Sequence, residues 1–297
     1  MNYQEFVGSV TSYLKETLPC GTEMNFIPLE KNNGVVMEGL SVRKRGQKVA
    51  PTIYLEPYYG EYLSGCSLHH IYDKILECCE DCDFMEPYGM DFFSDYKNVR
   101  PTVVYKLINY EKNKELLARI PHVPYLDLAI VFYCLLAETP VGNATVLIYN
   151  SHMELWNVTC GDLYRDARKN VLRLLPAELK SMTEVIRELS DGLEDLGEDS
   201  IPMYVLTNSR KILGAACILY DGMLKGCALQ IEDAFYLLPS SIHEVILVPK
   251  SVISDSRELI SMVREINETQ VRNTEVLSNQ IYFYSPESGR LSLLKEL

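Results

Sequence analysis

The chain lacks the signatures of several common protein classes. None of its apolar runs approaches the roughly 20 residues that a membrane-spanning helix requires, and its first residues contain neither the basic nor the apolar region of a secretory signal. A phosphate-binding glycine loop, a His-Glu-x-x-His helix and a dinucleotide fingerprint are also missing from the sequence. We therefore expect a cytoplasmic protein that neither enters a membrane nor carries a cofactor.

Positive charge is scarce. The 28 lysines and arginines are outnumbered by 41 aspartates and glutamates, which gives a net charge of −13 over 297 residues. Because a field of that sign repels nucleic-acid phosphates, we expect no direct nucleic-acid binding. The best basic candidate, residues 43–48, is interpreted as a solvated turn between strands, and the acidic run 191–199 as an exposed linker. An acidic surface instead fits a basic protein partner.

The nine cysteines form no regular framework, and their odd number is unusual for a disulfide-stabilised secreted protein. One cluster invites a metal-site interpretation, because Cys79-x-x-Cys82 is half of a common zinc pattern. A second close pair is missing, and on a helix over 67–80 His70 and Cys78 would lie roughly 12 Å apart along the axis. We expect buried or incidental thiols and no metal, with a zinc-stabilised module as the weaker alternative. The candidate ligands are Cys66, His69, His70, Cys78, Cys79 and Cys82.

Hydrophobic periodicity predicts an α+β fold, with antiparallel or mixed sheets and helices packed on them. In an N-terminal unit, residues 1–98, apolar residues at four-residue steps predict a helix over 4–18. Asn33-Gly34 predicts a tight hairpin between two strands, and a third strand and a helix over 67–80 follow. Residues 99–297 form a larger C-terminal unit. The sequence does not decide whether the two units share one core.

The C-terminal unit is predicted to mix strands and helices. Thr159 and Asp162 stand at capping-box positions, which predicts a helix start. Residues 126–136 fit a buried strand or a short helix. The stretch 210–228 has two interpretations. Its apolar residues fit a helix over four turns, whereas Asp221-Gly222 between apolar runs is a hairpin signal. We favour the helix. The other predicted elements are a strand at 101–109, a hairpin of 145–149 with 153–158, a helix near 178–189, strands at 203–207, 235–238 and 245–248, a helix at 255–270, and a hairpin of 281–284 with 291–294.

The turn from Pro239 to Glu244 is the best candidate for a chemical site. It carries Ser240, Ser241, His243 and Glu244 between two apolar runs, and a hydroxyl, an imidazole and a carboxylate can form a nucleophile, base and orienting group. Neighbouring strand residues point to opposite faces, however, so His243 and Glu244 cannot readily orient each other. A Gly-x-Ser-x-Gly elbow is missing. We favour a structural turn and keep an unfamiliar hydrolase or transferase site as the alternative.

Aromatic usage is uneven, with 20 tyrosines against a single tryptophan, Trp156. Tyrosine suits interfaces because it buries a large area and still offers a hydroxyl. Our first interpretation is a half-buried sheet face with its covering helix, and the alternative is a partner-binding surface. The clustered tyrosines are Tyr54, Tyr58, Tyr59, Tyr62 and Tyr72.

Four segments taken together carry a resemblance: 50–59, 144–163, 203–208 and 237–249. The set resembles a domain-of-unknown-function family of uncharacterised proteins from Gram-positive gut anaerobes, over nearly the whole chain. Residues 126–250 are more weakly similar to the YtpQ-like family, which also lacks an assigned activity. That family's turn resembles Pro-Ser-Arg-Asp, whereas this chain continues from Ser240 with Ser-Ile-His-Glu, so no residue role is carried across. The likeness supports an α+β fold and a helical 210–228.

Two functional hypotheses remain. The first is a non-enzymatic protein-interaction or accessory factor, with bacterial mobile elements as one setting, and it depends on the negative charge and the tyrosine content. The second is a hydrolase or transferase at the turn of Pro239 to Glu244. The first predicts a protein partner, while the second predicts a concave pocket around His243.

Overall fold

The computed structural model describes residues 1–43, 45, 52–80, 90–139, 142–189, 201–239 and 241–294. Cys82, Ser240, the acidic run 191–199 and most of the basic run 43–48 lie outside these residues. The described chain forms sheets of three, four and six strands together with helices, which confirms the α+β class. No helix within the described ranges is long and apolar enough to cross a membrane.

The chain divides into two compact units. Unit 1 contains residues 1–31, 35–99 and 135–146, and unit 2 contains residues 32–34, 100–134 and 147–297. The predicted domains 1–98 and 99–297 stay a prediction.

Unit 1 packs helices on a small antiparallel sheet. The first helix carries Phe6, Val10 and Leu14 at four-residue steps, and these side chains are buried in the core of the unit. Across this core lie Leu40 and Ile71. The elements are α1 (Tyr3–Thr17), β1 (Glu23–Glu30), β2 (Val36–Arg43), β3 (Thr52–Tyr54), α2 (Glu56–Leu63), α3 (Leu68–Glu80), α4 (Met90–Ser94) and α5 (Tyr96–Val99), and the sheet order is β1-β2-β3.

The sequence predicted α1, α3 and the β1–β2 hairpin, and the structure confirms them. The sequence analysis assigned no element to the segment of α2, whose tyrosines it interpreted only as part of a half-buried sheet face with its covering helix. Pro57 lies in the first turn of α2, where a proline costs no helical hydrogen bond.

The four-stranded sheet is built around the longest strand. This strand contains most of the predicted apolar run 126–136, and the structure confirms the strand alternative. The elements are β4 (Val103–Asn109), α6 (Lys114–Leu117), β5 (His122–Tyr125), β6 (Leu128–Thr139) and β7 (Gly142–Leu147), with order β4-β6-β5 and β7 paired to β6.

Two helices follow, α7 (Asn150–Trp156) and α8 (Cys160–Leu174). The predicted hairpin of 145–149 with 153–158 is wrong, because its second half is α7. His152 Nδ1 accepts the Tyr149 amide over 3.1 Å, and the His152 ring stacks on Trp156. These local contacts stabilise a helical turn that the apolar pattern alone did not reveal. The predicted capping box is confirmed, since Thr159 and Asp162 bond reciprocally at the start of α8.

The six-stranded sheet has the order β13-β12-β10-β11-β9-β8, with antiparallel neighbours throughout. The predicted strands at 235–238 and 245–248, the helix over 255–270 and the final hairpin are confirmed. The elements are β8 (Ala177–Ser181), α9 (Met182–Leu189), β9 (Tyr204–Asn208), α10 (Met223–Ile231), β10 (Phe235–Leu238), β11 (Val245–Pro249), α11 (Ser256–Thr269), β12 (Tyr282–Ser285) and β13 (Arg290–Leu293).

Two predicted helices of this region need correction. The segment 178–189 begins as β8 and becomes helical only at Met182. The segment 210–228 is not one helix, because a 3-10 turn, Gly214–Leu219, precedes α10. Gly222 separates the two with a φ of 74°, a left-handed conformation that interrupts a right-handed helix.

Candidate functional site

The turn between β10 and β11 is joined to the loop that precedes β12. The Ile242 amide donates to the Glu275 carbonyl over 2.8 Å, and the Ser278 amide donates to the Pro239 carbonyl over 3.0 Å. Ser241 also forms an isolated bridge with Val276. These bonds fix the backbone on which His243 stands.

The His243 ring lies between a backbone amide and a carboxylate. Its Nδ1 accepts the Leu213 amide over 3.2 Å, so a neutral ring carries its proton on Nε2. That Nε2 lies 3.9 Å from Oε1 of Glu275, and both side chains are 30% exposed. Arg272 approaches the same Oε1 to 3.6 Å. The imidazole therefore faces the Glu275 carboxylate, which is itself shared with Arg272.

Ser241 bonds to groups other than this imidazole. Its Oγ accepts the His243 amide over 3.0 Å, and its hydroxyl bonds to the Glu244 carboxylate. Burial raises the pKa of Glu244, while His243 and the Ser241 hydroxyl act in the opposite direction. The turn thus brings Ser241, His243 and Glu244 together, but not as a hydroxyl held on an imidazole.

The loop facing His243 is strained. Lys211 and Leu213 have φ values of 53° and 52°, and such conformations cost non-glycine residues ~1–3 kcal/mol. A Cβ on Gly214 would lie 2.3 Å from Thr207 Oγ1 and 2.6 Å from the His243 carbonyl oxygen. Strain of this kind occurs at functional sites. Sequence reasoning missed it because the segment was interpreted as a regular helix.

The cysteine and histidine candidates do not converge. On α3, Cys78 and Cys79 are buried, whereas His69 and His70 are exposed. The Cys78 thiol lies 3.3 Å from the Tyr58 hydroxyl and donates to the Lys74 carbonyl. Among the residues that the structure describes, no group of three or more His, Cys, Asp or Glu side chains could hold a metal ion.

A second candidate surface lies on the helices of unit 1, and we call it the tyrosine face. Its tyrosines pack ring to ring, with centroid separations of 5.3 Å for Tyr3–Tyr59, 6.2 Å for Tyr59–Tyr62 and 4.6 Å for Tyr13–Tyr72. All five are half-buried. Leu63, one turn beyond Tyr59, is 65% exposed. Of the five tyrosines that cluster in the sequence, Tyr54 lies on β3, and the other four lie on α2 and α3.

Two carboxylates act on Tyr3 at one end of the tyrosine face. Glu56 accepts a hydrogen bond from Tyr3, and burial together with Glu56 and Glu38 raises the pKa of Tyr3 to about 12. The Glu56 Oε2 atom is buried and has no hydrogen-bond partner among the described residues. This end of the surface therefore combines aromatic rings with negative potential.

Comparison with known proteins identifies the family of the chain, but that family has no assigned activity. No curated protein and no solved structure matches it. The resemblance to a domain of unknown function is confirmed, because a family model described as "Family of unknown function (DUF5688)" matches residues 3–286. The chain belongs to that family.

Proposed function

We propose that this chain is a protein-interaction factor that binds a positively charged protein through the tyrosine face. The observation that carries the proposal is the row of half-buried tyrosines packed ring to ring on α1, α2 and α3. Tyrosine supplies contact area and a hydroxyl while losing few side-chain rotamers on binding. Tyrosine is accordingly enriched in protein interfaces.

The surface is already ordered before a partner arrives. The rings of Tyr3, Tyr59 and Tyr62 hold one another in place, and the Tyr59 hydroxyl donates to the Met1 carbonyl over 3.1 Å. Side chains fixed in advance lose less entropy when a partner binds. Leu63 adds exposed apolar surface, and its removal from water when a partner binds is favourable.

Charge selects the partner. The chain carries a net charge of −13, and Glu38 and Glu56 act on the phenol of Tyr3 at one end of the tyrosine face. Complementary charge speeds association and excludes acidic competitors. A basic protein is therefore favoured over nucleic acid, whose phosphates the same field repels.

Photo-crosslinking tests this proposal. A benzophenone amino acid at Leu63 should crosslink a basic protein in a lysate of the source cells, and the product should vanish in a Tyr59→Ala/Tyr62→Ala chain. The matched control is the same probe at Leu172 of α8, which is also exposed, at 58%. Equal products from both positions, or products that survive the double substitution, would contradict the proposal.

Acid–base chemistry at His243 is the second candidate. The strained residues Lys211 and Leu213, together with the carboxylate of Glu275 at 3.9 Å from Nε2, favour it. Hydrolase activity towards a panel of esters and phosphoesters that is lost on both His243→Ala and Glu275→Gln would support an enzyme. Activity that either variant retains would exclude His243 and Glu275 as the acid–base pair.

We place this interaction in the cytoplasm of a Gram-positive gut anaerobe, where an accessory role for mobile elements is one setting. The buried free thiols of Cys134, Cys217 and Cys227 support a reducing compartment. The likeness of residues 126–250 to the YtpQ-like family belongs to the same proposal and assigns no chemistry.

A further inference from the structure

Residues 32–34, which we call the tip, connect β1 to β2 and belong to unit 2. The tip contains Asn33-Gly34, the one Asn-Gly pair of the sequence. Glycine has no side chain, so its amide nitrogen is open to the asparagine before it. That nitrogen can attack the carbon of the asparagine side-chain amide, which is the first step of deamidation. Among the asparagines of the sequence, Asn33 therefore has the least hindered neighbour.

Hydrogen bonds hold both ends of the Asn33 side-chain amide. Its Nδ2 donates to the carbonyls of Asn273 and Val276, each over 2.8 Å. Its Oδ1 accepts from Nδ2 of Asn113 over 3.1 Å, and the Asn33 backbone amide donates to Oδ1 of Asn113 over 2.7 Å. Asn113 itself is only 1% exposed. An amide satisfies this set and a carboxylate does not, because a carboxylate has no hydrogen to offer the two carbonyl oxygens.

The segment that receives Asn33 also carries Glu275. We call residues 273–277 the acceptor segment. The Glu275 carbonyl accepts the Ile242 amide over 2.8 Å, and the Glu275 Oε1 atom lies 3.9 Å from Nε2 of His243. The tip and the turn of His243 therefore bind the same short segment, so the seating of the tip affects where the Glu275 carboxylate stands.

We infer that Asn33 is a deamidation site and that its modification releases the acceptor segment irreversibly. The Gly34 nitrogen forms a bond to Cγ of Asn33, the Cγ–Nδ2 bond breaks, and ammonia leaves with the Gly34 amide proton. Water then opens the succinimide ring to aspartate or isoaspartate.

The seated tip slows this reaction. Ring closure must break the hydrogen bonds of the Asn33 side-chain amide, so the reaction proceeds mainly when the tip opens. Neither product can seat again in the same way, because both lack the Nδ2 donor and the aspartate carboxylate would face the carbonyls of Asn273 and Val276. The tyrosine face takes no part in this release.

Peptide mass spectrometry of the full, folded chain held at mildly alkaline pH measures the reaction. We expect the mass gain of an amide-to-acid conversion at Asn33, and at least threefold faster in Asn113→Ala, which removes a partner of the seated amide. Asn170→Ala is the matched control, because Asn170 also donates to two backbone carbonyls, those of Arg100 and Val103. The control should keep the parent's rate. No gain at Asn33, or an equal acceleration in both variants, would overturn the inference.

Hydrogen exchange measures the release of the acceptor segment. Asn33→Asp reproduces one product, and we expect the Ile242 amide to exchange at least fivefold faster in it than in the parent, because the acceptor of that amide is the Glu275 carbonyl. Asn170→Asp should exchange as the parent does, and thermal melts show that each variant is folded. The deamidated parent, separated by ion exchange, gives the same comparison if Asn33→Asp does not fold. Unchanged exchange at Ile242 in the folded, modified chain would exclude the release.

Discussion

The backbone amide of Leu213 donates a hydrogen bond to Nδ1 of His243 over 3.2 Å. The donor belongs to a residue with a left-handed backbone, and the acceptor stands in a turn 30 residues further along the chain. The bond therefore holds a strained loop against the six-stranded sheet of unit 2. We expect it to be a main reason why residues 211–214 keep their conformation.

Removing the imidazole should release this loop. His243→Ala leaves the Leu213 amide without its acceptor, and the loss of a hydrogen bond with a partly buried donor destabilises by ~1–3 kcal/mol. His243→Asn supplies an oxygen near the position of Nδ1, so we expect less than half of that loss. Urea unfolding measures both, and hydrogen exchange should show faster exchange at Leu213 in the alanine variant alone. Equal losses for the two variants would show that packing, and not the hydrogen bond, holds the loop.

Gly214 should tolerate no side chain. A Cβ there would approach Thr207 Oγ1 to 2.3 Å and the Asn208 amide nitrogen to 2.8 Å. We expect Gly214→Ala to lower the free energy of unfolding by ~1–3 kcal/mol or more, because the surrounding backbone must shift.

Gly226→Ala is the matched control. Gly226 lies in α10, where an added Cβ would meet no atom within 4 Å, and alanine should stabilise that helix by ~0.5–1 kcal/mol. Losses of similar size at both positions would contradict the steric explanation.

The elements that were predicted correctly have local causes. The stripe of Phe6, Val10 and Leu14 defines α1, and the reciprocal bonds of Thr159 and Asp162 define the start of α8. The elements that were missed depend on distant residues. The 3-10 turn that replaces the start of the predicted helix over 210–228 begins at Gly214, which packs on Thr207 and His243, and neither contact is visible as a sequence pattern.

The same division applies to the candidate sites. His243 and Ser241 stand out in sequence because their residue types suggest chemistry. The partners of the imidazole, Leu213 and Glu275, carry no comparable signal and come from other segments. The tyrosine face was visible as a composition, but its helical geometry depends on α2, which starts at a proline-containing turn that resembles a loop.

The capping box of α8 should give an acid-dependent stability. Hydrogen bonds from the Thr159 hydroxyl and amide, together with Arg165, lower the pKa of Asp162 from 3.8 to about 2. A carboxyl whose pKa is lowered by folding stabilises the protein above its unfolded pKa and loses that contribution as the pH falls through the folded value. Asp162→Asn should therefore be less stable than the parent at pH 7, and the difference should shrink between about pH 4 and pH 2. Parallel thermal melts across that range measure it, and a difference independent of pH would contradict the ionic cap.

Glu244 should show the opposite sign. Burial raises its pKa, an effect larger than the lowering by His243 and by the Ser241 hydroxyl. A carboxyl whose pKa is raised by folding contributes stability below its unfolded pKa, and this contribution is lost as the pH rises through the folded value. Glu244→Gln keeps the shape and cannot ionise, so it should be more stable than the parent at pH 7 and no more stable at pH 4. Urea midpoints at the two pH values measure the change.

Glu275→Gln, at a carboxylate that is 30% exposed and shared with Arg272, should not reproduce it. A loss of stability at pH 7 in Glu244→Gln would instead mean that the ionised carboxylate stabilises the turn through Ser241 and His243.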